Sequence, residues 1–140
     1  GVIELLAVAA TIRFADRIGS TRSALGGTAI LVAAAMLLAF GSTHLAIGVG
    51  ALSFLLAGHE FALVSTKPLL AAASPGEPGV GIGLGFAAAA AARSIAVLVG
   101  TIAFQSGGMT LAATLSGGLG LLALSLFGFA HHSNTANLLL

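Results

Sequence analysis

Five ionisable side chains stand inside stretches that are otherwise oily: Glu4, His59, Glu60, Lys67 and Arg93. A charge at the centre of a bilayer costs about 2.5–3.5 kcal/mol on insertion scales, so such a residue pairs, faces water, or does both. Glu60 is the group suited to moving protons, because a carboxylate in a low-dielectric region takes up or releases a proton as its surroundings change. His59 beside it is a second titrating group, and Glu4 is a further carboxylate candidate. Glu60 stands 13 residues before Ala73, and Arg93 stands 14 residues after Gly79. At 1.5 Å per residue these are depths of ~20 Å and ~21 Å. Matching depths on consecutive antiparallel helices predict that Glu60 and Arg93 approach each other, directly or through water, with Lys67 reaching toward the near interface. Two roles stay open for the pair: a proton-coupling site, or a permanent ion pair holding two helices together.

The elements that carry these residues follow from composition. Of 140 residues, 58% are hydrophobic and 6% charged, with a mean hydropathy of +1.13. A soluble domain carries roughly a quarter charged residues, so this chain cannot clothe itself in a polar surface, and lipid is its solvent. The spacing predicts helices over 1–13, 24–40, 45–73, 79–104 and 109–130, with a cytoplasmic loop at 13–23, a cytoplasmic turn at 74–78 and a C-terminal tail at 131–140. The first run, about 12 residues from Gly1 to Ile12, falls short of the ~20 residues that cross a bilayer. It lacks a basic leader and a small-residue cleavage pattern, and reads as the end of a helix cut by the chain's boundary. Ser74 to Gly79, with two prolines and two glycines, stops any helix. Barrel strands would alternate apolar and polar residues, whereas these runs are apolar on all faces. The fold class is therefore all-α, a polytopic transmembrane helix bundle.

Orientation follows from the basic residues. Arg13, Arg17 and Arg22 fall in the first loop and Lys67 near the third, while Gly41–His44 and Gln105–Gly108 hold neither Lys nor Arg. Positive-inside bias puts the first and third connections, and by alternation the C-terminus, in the cytoplasm. With no Trp or Tyr an aromatic belt is missing, and Phe14, Phe40, Phe104, Phe127 and Phe129 near helix ends are a partial substitute. The absence of Cys excludes thiolate chemistry, and a net charge of +1 without clustered Lys and Arg argues against nucleic acid.

The loop RFADRIGSTR resembles the loop motif of the major facilitator superfamily, a G-x-L-A-D-R-x-G-R-K/R-like run. Asp16, Arg17 and Gly19 match, Ala15 is in place, and Arg22 is a following basic residue. Ile12 stands where the family has Gly, Phe14 replaces Leu, and Ser20 and Thr21 occupy positions where basic residues are common. The second half of such transporters often carries a degraded copy. After SPGEPG, the stretch GIGLGFAAAAAARSIAVLVGTIAF is similar to the drug-efflux branch: a Pro/Glu/Gly turn, a glycine-rich helix start and an A-R-S-x-A centre. The resemblance implies that the chain is the end of helix 8 followed by helices 9 to 12 of the C-terminal half. It also implies a multi-pass protein of the cell membrane, the bacterial inner membrane, with a missing N-terminal half, a small-molecule substrate and protons as partners. Asp16, Arg17, Gly19 and Arg22 would then form a loop that biases one of two packings; alternatively the arginines only set topology. In that fold the third helix of each repeat stays on the lipid side. The two corresponding stretches, 24–40 and 109–130, hold no charge, and every intramembrane ionisable residue falls elsewhere.

Gly79, Gly81, Gly83 and Gly85 form two overlapping G-x-x-x-G pairs that allow helices to approach closely in lipid. A phosphate loop is not supported, since no Gly-Lys-Ser/Thr follows. His131 and His132, adjacent and without further ligands, do not make a metal site; no cofactor is implied. No H-E-x-x-H spacing or nucleophile elbow points to an enzyme. The reading is a secondary active transporter, proton-coupled and drug-efflux-like. Its rivals are a small four-helix exporter acting as a dimer through Glu4, and a non-transporting membrane scaffold subunit.

Overall fold

The computed structural model describes residues 2, 5, 6, 9, 13, 17–41 and 43–137, with side chains described as far as Phe129. Among the described residues the chain is all-helical, and its three helices are α1 Ser20–Gly41, α2 Leu45–Ala72 and α3 Pro78–Asn137. Each is long and apolar enough to cross a membrane, which makes this a membrane protein of helical type. Glu4 and Asp16 lie outside the described residues.

Local signals set the helix ends. Gly19 adopts φ +89°, a left-handed conformation that a side chain would strain, and its carbonyl accepts the first bond of α1 from Ser23 N–H at 3.0 Å. The helix thus begins at Ser20, four residues before the apolar stretch, because backbone bonding does not require the polar run STRS to be in lipid. Between α1 and α2, His44 N–H bonds the Gly41 carbonyl at 3.2 Å, and His44 is extended at φ −104°, ψ 117°. After α2, Glu77 N–H closes a turn on the Ser74 carbonyl at 3.1 Å with Pro75 second in the turn, where its fixed φ fits. Pro78 then opens α3 at the one helical position whose missing N–H costs nothing.

α3 is two arms, 78–106 and 109–137, joined by non-helical Gly107 (φ −144°, ψ 18°) and Gly108 (φ 65°, ψ −159°). The second pair of angles is essentially open to glycine alone. The arms lie side by side and antiparallel: Ala103 and Ala112, Val99 and Ser116, and Ala96 and Leu119 all border one apolar cleft of about 280 Å³. One expectation needs correction at the chain's end. Residues expected to form a tail from 131 instead continue the helix to Asn137. No Gly or Pro interrupts HHSNTAN, and its residues disfavour helix by only a few tenths of a kcal/mol each relative to Ala.

The bundle is organised around α1, which packs most extensively on α2, next on α3, while α2 and α3 meet only over a short stretch. The charge-free stretch of α1 was expected on the lipid side. Among the described residues it is instead the most protein-covered stretch, with Ala24, Ala34, Ala35, Leu38 and Ala39 buried. Its small residues let both neighbours approach. A Cβ placed on Gly27 would sit 2.5 Å from Ala62 N and 2.9 Å from the Gly58 carbonyl, and one on Gly58 would sit 2.9 Å from the Gly27 carbonyl. On the other face, Met36 and Val32 rest on Gly117 and Gly120 of the second arm. Leu38, Ala39, Ala51 and Ala113 close a common core. Large apolar side chains such as Leu45, Phe54, Leu84, Leu98 and Phe129 point outward, as a surface solvated by acyl chains requires. Hydroxyls on the spans fold back onto carbonyls one turn earlier, as in Thr28 to Ala24, Ser53 to Val49, Ser94 to Ala90 and Thr101 to Val97, which satisfies them without water.

Candidate functional site

Lys67 lies at the seam between α2 and the first arm of α3, with His59 and Glu60 further along α2 and Arg93 further along α3. Next to the connecting turn the seam is tight. Cβ atoms placed on Gly81 and Gly85 would run into the Leu70 carbonyl and side chain, while Gly79 and Gly83 face open space. The glycine run therefore presents one packing pair, Gly81 and Gly85, and not two. A turn further along, the Lys67 ammonium lies 5.9 Å from the centre of the Phe86 ring, a cation–π contact. Lys67 does not extend free toward the interface; its stem and head lie across the seam. Leu63, Thr66, Lys67 and Leu70 of α2 and Gly85, Phe86 and Ala89 of α3 enclose a cavity of about 170 Å³ there.

Glu60 and Arg93 continue these two facing surfaces. Seven residues make two helical turns with only ~20° of drift. Glu60 therefore shares a face with Lys67, and Arg93 shares a face with Phe86. Each lies two turns, ~10 Å, beyond Lys67 or Phe86 along its own helix, and Arg93 falls in the stretch 90–99, every residue of which is exposed. They do not join: among the described residues no ion pair forms within 4.0 Å. Arg93 is exposed, while Glu60 and His59 are half-buried. The expected direct pairing is thus absent, because α2 and α3 touch near their connection and the seam opens beyond Leu63 and Ala89.

The loop residues are split by what the structure describes. Arg17 and Arg22 are exposed, and Gly19 supplies the left-handed turn that starts α1. Ile18, Gly19, Ser20, Thr21, Arg22 and Leu25 line an open concavity there. Among the described residues no group of three His, Asp or Glu side chains comes together as a metal would need.

Two features lie outside the expected site. Gly27 and Gly58 form a backbone-to-backbone crossing, and the small-residue spacings Ser23-x-x-x-Gly27 and Gly58-x-x-x-Ala62 are the signal that marks such crossings. Ser23 and Ser65, 1% and 2% exposed, bury hydroxyl oxygens that meet no protein partner among the described residues. Nothing in the local sequence distinguishes them from the serines that bond back along their own helices. Near them, Thr28, Thr66, Leu124 and Phe127 border a cavity of about 150 Å³ among all three helices.

No family model, curated protein or solved structure matches this chain at a significant level.

Proposed function

We propose that the chain belongs to a secondary active transporter of the major-facilitator type, in which it contributes helices of the second half, and that it moves a small molecule against a proton gradient. The observation that carries this reading is that an intramembrane carboxylate, Glu60 on α2, and an intramembrane guanidinium, Arg93 on α3, form no ion pair with each other. Two such charges kept apart in lipid are costly, and a static scaffold gains nothing from maintaining them. A transporter does, since a carboxylate that alternates between a proton and a cation couples protonation to helix movement. The Asp16-Arg17-x-Gly19 loop resemblance supports the same reading. Drug-like efflux is the direction suggested by the Ala92-Arg93-Ser94 resemblance.

The test is reconstitution of the full-length protein into liposomes under an imposed pH gradient, following a fluorescent lipophilic cation and lumenal pH together. Coupled movement of dye and protons that disappears in a folded Glu60→Gln variant is the expected result. Dye movement that ignores the gradient, or coupling left intact by Glu60→Gln, contradicts the proposal.

A further inference from the structure

We infer that the cavity beside Lys67, between α2 and the first arm of α3, binds a small lipophilic carboxylate: a single negative charge on a body the size of a benzene ring. The site is separate from Glu60 and Arg93, and the inference goes beyond the transport reading without resting on it.

Two helices that meet at one end supply the walls. Leu70 seats against Gly81 and Gly85 and holds α2 to the first arm beside the connecting turn. Just beyond, Leu63, Thr66, Lys67, Gly85, Phe86 and Ala89 border a cavity of about 170 Å³. An apolar cavity of ~150 Å³ takes up one benzene molecule, so a ring or a branched alkyl group of that size fits here. Phe86 offers a face or an edge for such a body to pack on.

Charge selects the ligand. Lys67 stands six residues before Ala73, ~9 Å along the helix from its end, and among the described residues no carboxylate pairs with it. Glu60 lies two turns further along α2, and Glu77 is exposed on the connecting turn. The contact Lys67 makes is with the Phe86 ring at 5.9 Å, a weaker partner for an ammonium than a carboxylate is. Thr66 donates its hydroxyl proton to the Ala62 carbonyl at 2.7 Å, which leaves Lys67 as the side-chain donor of the wall. One positive donor matches one carboxylate. A dianion such as a phosphate monoester would keep a charge unpaired against apolar walls, a cation would be repelled, and a neutral arene would gain only a cation–π contact. Lys67 is exposed, so the head of a ligand can reach it while the body occupies the cavity.

The experiment places the full-length protein in phosphatidylcholine nanodiscs and follows three probes of one shape by fluorine NMR line broadening, with empty nanodiscs as the blank. The probes are para-fluorobenzoate, the neutral para-fluorobenzamide and the cationic para-fluorobenzylamine. Saturable benzoate binding is expected, with the amide and the amine each weaker by about tenfold or more, the effect of losing a charge-assisted hydrogen bond. Lys67→Gln should weaken benzoate by a similar factor and Lys67→Arg should keep it. Ala89→Leu, which fills the cavity and leaves the ammonium in place, should abolish it. The probe series on the unaltered protein gives the answer even if a variant does not fold. Absence of saturable benzoate binding up to about 10 mM, or an amide that binds as well as benzoate, overturns the assignment. So does native mass spectrometry showing an anionic phospholipid that stays with the unaltered protein and is lost from Lys67→Gln, because a lipid phosphate would then hold the ammonium.

Discussion

Gly27 of α1 and Gly58 of α2 meet backbone to backbone, each so close to the other's helix that an added Cβ would fall within 3 Å of main-chain atoms. In lipid there is no hydrophobic drive to bring helices together, and van der Waals packing through small residues takes its place. This crossing fixes how α2 stands against α1, and therefore where the face bearing Glu60 and Lys67 is directed.

Enlarging either glycine should separate the helices. Gly58→Val or Gly27→Val is expected to destabilise the folded protein by about 1–3 kcal/mol, the usual cost of overpacking, and Gly26→Ala, which meets nothing within 4 Å, should leave stability unchanged or slightly raised. Thermal unfolding in detergent, monitored by circular dichroism, distinguishes the two.

The reversal at Gly107 and Gly108 makes a second prediction. Gly108 at φ 65°, ψ −159° occupies a region that costs a non-glycine residue about 1–3 kcal/mol. Gly108→Ala should lower the unfolding temperature, while Gly100→Ala, in mid-helix with open space around it, should raise stability by up to about 1 kcal/mol.

Ser23 and Ser65 give a prediction of opposite sign. A buried hydroxyl without a partner costs about 1–3 kcal/mol. Ser65→Ala and Ser23→Ala should therefore be neutral or stabilising in the same unfolding assay, in contrast to Thr28→Val, which removes a hydroxyl bonded at 2.9 Å to the Ala24 carbonyl. A marked loss of stability in both serine variants would show that these oxygens are bonded after all.

Across the seam, Lys67 and Phe86 should be coupled. A double-mutant cycle with Lys67→Met and Phe86→Leu is expected to give about 0.5–1 kcal/mol, the range for a cation–π contact at an exposed site. Additive effects of the two substitutions would mean that the ammonium does not rest on the ring.

Much of the helix layout is readable from punctuation. The break at Gln105–Gly108 is visible as a Gly pair and the turn at Ser74–Gly79 as its prolines and glycines, because such residues act locally. The start of α1 is not: polarity suggests a loop through Ser23, whereas Gly19 allows the helix to form ahead of the membrane. Depth along an axis can be counted from residue numbers, so Glu60 and Arg93 are placed level with each other. Separation between axes cannot, since it depends on packing such as Leu70 against Gly81 and Gly85 at one end of the seam. For the same reason the enclosed position of α1 escapes a reading based on charge alone; alanines serve equally well against lipid and against another helix.

The proposed transport function requires that Glu60 and Arg93 meet water and do not face acyl chains. Because the chain contains no Cys, nitroxide labels can be attached singly at Glu60→Cys, Arg93→Cys and, as a lipid-facing control, Leu98→Cys. Collision accessibility in liposomes compares a water-soluble nickel chelate with lipid-soluble oxygen. The account predicts that labels at 60 and 93 meet the chelate far more than the label at 98 does; labels at 60 and 93 dominated by oxygen, as at 98, would contradict it.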